Sequence, residues 1–312
     1  MDNIKLLKIS ILLVYILIAG ACAQSSNTSA ISTSSSDASV PGTKIWFPEL
    51  HNSRKKFTAV ADMSRKDWND PLELERVWQN SLLRIPSEDG EYASLQVSDM
   101  AKIRFSDQKK HLTVVYMHGC SGIWPGTIRR INFLAENGFA VVAPPSFARE
   151  KYPKSCDVDL HQGGLYRDTI KIRQNDARHA IEKAKQLPWV DKYNVFLMGL
   201  SEGGITTATF NSKQDAHSVN ARVIEGWTCT STWREYNGLR APKTQPVLSL
   251  LGSKDPWFQN PYNNGECASF MNKKNGSKSV VYKKGALSYK HELLEDTGAQ
   301  NTVLQFLQQH IR

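Results

Sequence analysis

A serine becomes a nucleophile when a base takes its proton and an acid orients that base. The stretch Met198-Gly199-Leu200-Ser201-Glu202-Gly203-Gly204 offers the serine, set among glycines. Asp255 stands in Gly252-Ser253-Lys254-Asp255-Pro256, and His291 in Tyr289-Lys290-His291. The chain order Ser, Asp, His, with Gly-x-Ser-x-Gly between a strand and a helix, is that of a nucleophile elbow. Gly199 and Gly203 would let strand and helix approach closely. Ser201 would project above the sheet, beside N–H groups at a helix start that favour an anion. Each residue also has a plainer reading. Ser201 is then an ordinary turn serine, Asp255 a turn former before Pro256, and His291 a solvent-facing loop residue. The three together, in order, favour the triad.

Such a triad needs elements that deliver each residue to one edge. Apolar runs predict strands over 95–97, 102–105, 112–117, 139–143, 195–198, 222–226, 247–251 and 280–282. Helices are expected over about 70–83, 127–137, 166–187, 202–210 and 301–311, the first opened by Asp70 as cap and Pro71 at its first position. This alternation predicts an α/β protein, its mostly parallel central sheet covered by helices on both faces. Right-handed crossovers then put the strands' C-terminal ends on one edge, where sites in open α/β sheets lie. Ser201, Asp255 and His291 each follow a strand on that edge.

Acyl transfer also needs an oxyanion hole. One donor is the N–H of Glu202, next after the nucleophile. The other is expected from the loop Met117-His118-Gly119-Cys120-Ser121-Gly122, with the Cys120 N–H as candidate. His118 is read as packing beneath that loop. No His/Cys/Asp cluster has zinc spacing, so no metal and no cofactor are expected. Trp124, Phe147, Tyr152, Trp227, Trp257 and Phe258 fall in loops of the same edge and are candidates for pocket walls or for plain loop packing.

The strand followed by a His-Gly loop, the GLSEGG elbow, the GSKD acid loop and the late histidine resemble the α/β-hydrolase fold, and within it the dienelactone hydrolase branch, over about residues 95–312. The resemblance implies hydrolysis of esters or lactones. It departs at position 201, serine where dienelactone hydrolase proper carries cysteine, and in being exported. The expected function is therefore a serine hydrolase acting on a small-molecule ester through an acyl-enzyme. A serine peptidase or amidase of the same fold and a non-catalytic envelope binding protein are the alternatives. Within this fold Cys120 and Cys156 follow neighbouring strands, and Cys229 and Cys267 follow later ones. The expected disulfides are Cys120–Cys156 and Cys229–Cys267.

Composition sets the frame. Over 312 residues, 40% hydrophobic and 22% charged is the balance of a globular chain with a full core. The net charge of +9 is spread without a basic block, which leaves nucleic acid without a motif. Lys5 and Lys8, an apolar run over 9–18 and small residues after it make a signal peptide over 1–21. Ala19-Gly20-Ala21-Cys22 resembles a bacterial lipobox with Cys22 lipidated. Ala21-Cys22-Ala23 also fits ordinary cleavage before Gln24. Ala23, rather than Asp, implies an outer-membrane lipoprotein; the other cleavage implies a periplasmic or secreted protein. Eight serines and two threonines over 25–39 make 22–43 a tether rather than a core, and the catalytic domain spans 44–312.

Overall fold

The computed structural model describes residues 50–51, 53–102, 109–212 and 214–312. The signal peptide, Cys22, the tether and the strand residues 103–105 lie outside the described residues. So do residues 44–49, where the catalytic domain is expected to begin.

The centre of the sheet follows directly from sequence. The strand β3 (His111–Met117) is a near-continuous apolar run, as a strand covered on both faces must be. Its neighbours are β4 (Ala140–Ala143) on one side and β7 (Val190–Leu200) on the other, both parallel to it. Successive side chains alternate between faces. Val114 and Tyr116 enter a core with Ile128, Ile131 and Leu134 of α2 (Pro125–Glu136) and Val303 and Leu307 of α5 (Thr297–Gln309). Val115 and Met117 enter the opposite core with Ala177, Ala180 and Ile181 of α3 (Thr169–Ala184). All four strand side chains are fully buried. Burial of each such Val or Met contributes about 1.5–3 kcal/mol. Helices therefore clothe both faces.

Beyond β7 the sheet continues in parallel through β8 (Arg222–Glu225), β9 (Val247–Gly252) and β10 (Lys278–Tyr282). The helix α4 (Glu202–Thr209) leaves β7 at the elbow and packs on β7 and β8. At the other edge β1 (Leu82–Pro86) pairs antiparallel with β4, and β2 (Tyr92–Gln96) antiparallel with β1. The sheet order is β10-β9-β8-β7-β3-β4-β1-β2. This is the expected α/β-hydrolase arrangement, eight strands and mostly parallel.

The larger differences from the sequence reading fall between Asp70 and Gly163. Asp70 caps α1 (Pro71–Gln79) by accepting from the Leu72 N–H at 2.9 Å. The helix stops at Gln79 and not near 83. Asn80 Nδ2 donates to the Arg76 carbonyl and Ser81 Oγ to the Val77 carbonyl, so side chains satisfy the last turn. Leu82, Leu83 and Arg84 are then free to pair with β4 as strand; a short apolar run does not itself distinguish helix from strand. Val97 opens a 3-10 turn rather than extending β2. A two-stranded hairpin, β5 (Cys156–Asp157) and β6 (Gln162–Gly163), carries no alternation that would announce it.

Candidate active site

Ser201 sits at the junction of β7 and α4 with φ 57° and ψ −119°, a conformation rare for a side-chain-bearing residue. Strain of this kind costs on the order of 1–3 kcal/mol and persists only where surroundings over-determine it. Here the backbone does so. The Ser201 N–H donates to the Glu225 carbonyl at 2.8 Å, and the Ser201 carbonyl accepts from Ile205 N–H at 2.8 Å. A Cβ on Gly199 would lie 2.3 Å from the Gly203 carbonyl oxygen, and one on Gly203 would lie 2.0 Å from that of Met117. Strand, turn and helix thus touch backbone to backbone.

Asp255 is fully buried at the end of β9 and caps the short turn Pro256–Phe258. One carboxylate oxygen accepts from the Trp257 N–H at 3.0 Å. The other meets His291 Nδ1 at 2.7 Å. That contact makes Nδ1 the donor and leaves Nε2 as the ring's acceptor. Nε2 is buried and has no hydrogen-bond partner, Ser201 included. Catalytic hydrogen bonds that are open in a free enzyme commonly close only around substrate. The Trp257 ring stacks on the imidazole at 5.3 Å and Phe258 flanks it at 5.7 Å.

Ser201 and His291 meet the same corner of chain, Glu225–Gly226. A Cβ on Gly226, whose φ is 61°, would lie 2.8 Å from the His291 carbonyl oxygen. The Glu225 carboxylate, wholly buried, accepts from the N–H groups of Leu293 and Leu294 at 2.7 and 2.9 Å. Arg130 grips that carboxylate with two nitrogens, at 2.8 and 2.7 Å, and reaches Glu292 at 3.0 Å. Burial, the largest single influence, would lower the Arg130 pKa; the charge and hydrogen bonds of Glu225, with Tyr116 and Glu292, together raise it. Burial pushes the Glu292 carboxyl above its ordinary range, against the pull of Arg130. Glu225 therefore fixes the nucleophile through its main chain and the loop after His291 through its side chain.

The second cluster underlies the oxyanion candidates. The Glu202 carboxylate accepts from Ser155 Oγ at 3.0 Å and from Arg173 Nη1 at 2.9 Å. Arg173 also donates to the carbonyls of His118 and Gly119. The Gly119 carbonyl and the Cys120 N–H share one trans peptide and point oppositely. With the carbonyl turned to Arg173, the Cys120 N–H points away from it. Gly119 lies against the serine, since a Cβ there would stand 3.7 Å from Ser201 Cβ. His118 packs beneath the loop: Nδ1 meets the Gly119 carbonyl at 2.6 Å and Nε2 accepts the Ser146 N–H at 3.0 Å. Burial first, then Arg173, holds its pKa well below the usual histidine value.

In front of Ser201 opens a cavity of about 580 Å³, lined in part by Cys120, Glu202, Trp227 and Trp257. Trp227, Trp257 and Phe258 line it as the sequence suggested; Trp124, Phe147 and Tyr152 do not. Phe147 and Tyr152 are buried against each other with Ile172. Disulfides join Cys120 to Cys156 and Cys229 to Cys267. Among the described residues no group of acids, cysteines or histidines is arranged to hold a metal. Sequence reasoning missed Arg130, Arg173 and Glu225. A signal existed for Glu225, a charge ending a buried strand run just before a glycine at the site edge.

The family model described as the dienelactone hydrolase family matches residues 101–292. Among curated proteins none matches. Of solved structures, a putative dienelactone hydrolase from Klebsiella pneumoniae subsp. pneumoniae is 18% identical with a TM-score of 0.48, over 64% of this chain and 88% of that one. Esterase 2 of Thermogutta terrifontis, in apo form, is 15% identical with a TM-score of 0.46, over 73% of this chain and 88% of its own. A dienelactone hydrolase-like promiscuous phosphotriesterase from metagenomic libraries is 14% identical with a TM-score of 0.46, over 65% and 88%.

Proposed function

Because the chain belongs to the dienelactone hydrolase family, and so is a hydrolase, we propose that it cleaves carboxylic esters or lactones through Ser201, His291 and Asp255. The observation that carries this is the buried Asp255–His291 hydrogen bond at 2.7 Å with the opposite ring nitrogen unpartnered, on the same edge as a strained elbow serine. The Ser201 Oγ bonds to the ester carbonyl carbon as its proton passes to His291 Nε2. Asp255 orients the ring and balances the imidazolium. The carbonyl oxygen becomes an oxyanion facing the N–H groups of Glu202 and Cys120, each such donor worth about 10²–10³ in turnover. The tetrahedral centre collapses, the C–O bond breaks, and Nε2 protonates the leaving alkoxide. Water, activated by the same nitrogen, releases the acid and frees the serine. The reaction asks for no cofactor.

A fluorophosphonate probe tests the role of Ser201. Wild type should be labelled and should hydrolyse p-nitrophenyl acetate; Ser201→Ala should do neither. An unlabelled wild type, or equal labelling of both, would overturn the enzyme reading in favour of a binding protein. Export is proposed on the signal sequence, and the two disulfides are compatible with an oxidising compartment. Palmitate incorporation lost in Cys22→Ser would support the lipid anchor; incorporation unchanged by that substitution would rule it out.

A further inference from the structure

The cavity before Ser201 has walls that the catalytic residues do not account for. Six aromatic side chains line it: Trp227, Trp233, Tyr236, Trp257, Phe258 and Tyr262. They come from the loops that follow β8 and β9. Among the described residues no Lys or Arg lines the cavity. Apart from the tyrosines, its ionisable lining consists of Glu202 and His161, and His161 packs edge-on against the Trp257 ring at 5.4 Å.

The Glu202 ion pair has a direction. Arg173 holds the carboxylate from behind with its own side chain wholly shielded, so the cavity meets the acid and not the guanidinium. Of the cations near the wall, Arg167 lies over the Trp233 ring at 5.3 Å and is tied to Glu235, and Lys154, next to Ser155 in the chain, is paired with Asp157 at 3.1 Å. Ring faces carry the negative side of an aromatic quadrupole. A carboxylate entering this space would shed water among aromatic rings and beside the Glu202 carboxylate, with no Lys or Arg among the described lining residues to receive it. A flat uncharged ring, by contrast, gains offset and edge-to-face contacts on several sides. At about 580 Å³ the cavity is of the size that takes a small molecule whole.

On the reading that Ser201 is the nucleophile, we propose that the substrate is an ester bearing an uncharged aromatic group beside the scissile bond, and that the site excludes carboxylate-bearing esters and lactones.

The test is a matched panel assayed at pH 8.5. Methyl 3-phenylpropanoate is compared with methyl 3-cyclohexylpropanoate, and benzyl acetate with cyclohexylmethyl acetate. Each aromatic member is also compared with its para-carboxylated form. Aromatic esters should exceed the cyclohexyl ones in kcat/KM by about fivefold in at least one pair. The carboxylated forms should fall about thirtyfold or more below their parents. Trp233→Ala should reduce the aromatic-to-cyclohexyl ratio toward one. Equal turnover of rings and cyclohexyls in both pairs, or of the carboxylated forms, overturns the proposal. Fluorophosphonate labelling on the same sample separates the two failures. A labelled enzyme with flat ratios, or with no turnover of the panel, sinks the aromatic assignment alone. An unlabelled one sinks the Ser201 reading on which it rests.

Discussion

The Ser201 elbow and the His291 loop, the two halves of the proposed triad, are built largely from different materials. The elbow is held by main chain against main chain, with Gly203 against the Met117 carbonyl and Ser201 N–H on the Glu225 carbonyl. The His291 loop also touches main chain at Gly226, but side chains tie it down, an Arg130–Glu225 pair that takes up the Leu293 and Leu294 N–H groups. Backbone contact tolerates no added atom, while a charge network tolerates change when both partners change together. The difference teaches where this site is brittle and where it is adjustable.

The largest effect should come from silencing the acid–base half without touching the elbow. Asp255→Asn keeps the shape but offers His291 the wrong tautomer, and kcat should fall about 10⁴-fold with little change in thermal midpoint. A loss below tenfold would show that the 2.7 Å contact does not serve turnover. Next, Glu225→Ala strips buried Arg130 of its bidentate partner, leaving it only Glu292 and Glu295 through one nitrogen, and orphans the Leu293 and Leu294 N–H groups, costing about 3 kcal/mol by urea denaturation. Adding Arg130→Leu should recover most of that stability while turnover stays low, because the loop has lost its anchor. Recovery of both would make the network purely structural. Gly203→Ala should cost about 3 kcal/mol or more, with no second-site partner to restore it. A soluble, active alanine variant would contradict the close approach. The smallest effect concerns His118, whose folded pKa lies below its unfolded 6.5. Its neutral form is favoured by folding, so its stability contribution is complete above about pH 6.5 and declines as the pH falls below it. Wild type should lose stability between pH 7 and pH 5 faster than His118→Gln, by at most about 1.4 kcal/mol per unit. Parallel curves would refute the burial of a neutral ring.

The proposed reacting residues could be placed from sequence because a parallel sheet converts chain order into position. Ser201, Asp255 and His291 each follow an apolar run, and those runs end on one edge. The cysteine pairs were readable for the same reason. Arg130 and Arg173 were not, because a charge on an amphipathic helix looks solvated until its partner across the fold is known. Glu225 gave a local sign and no partner. The cavity walls were half visible: Trp227, Trp257 and Phe258 follow strands, whereas Trp233, Tyr236 and Tyr262 sit deeper in loops whose course no periodicity fixes. The end of α1 was misplaced because Leu82 and Leu83 satisfy a helical face as well as a strand, and the choice was made by β4.

The bond between Cys120 and Cys156 has a kinetic consequence. It yokes the peptide proposed to receive the oxyanion to the hairpin that forms one rim of the cavity, 36 residues along the chain. A guest that shoulders the rim aside must also drag that peptide from its place. Misfit would then be registered when the carbonyl is attacked rather than when the ligand docks. Poor substrates should occupy the cavity at ordinary concentrations and react slowly, so that selectivity is written in kcat more than in KM.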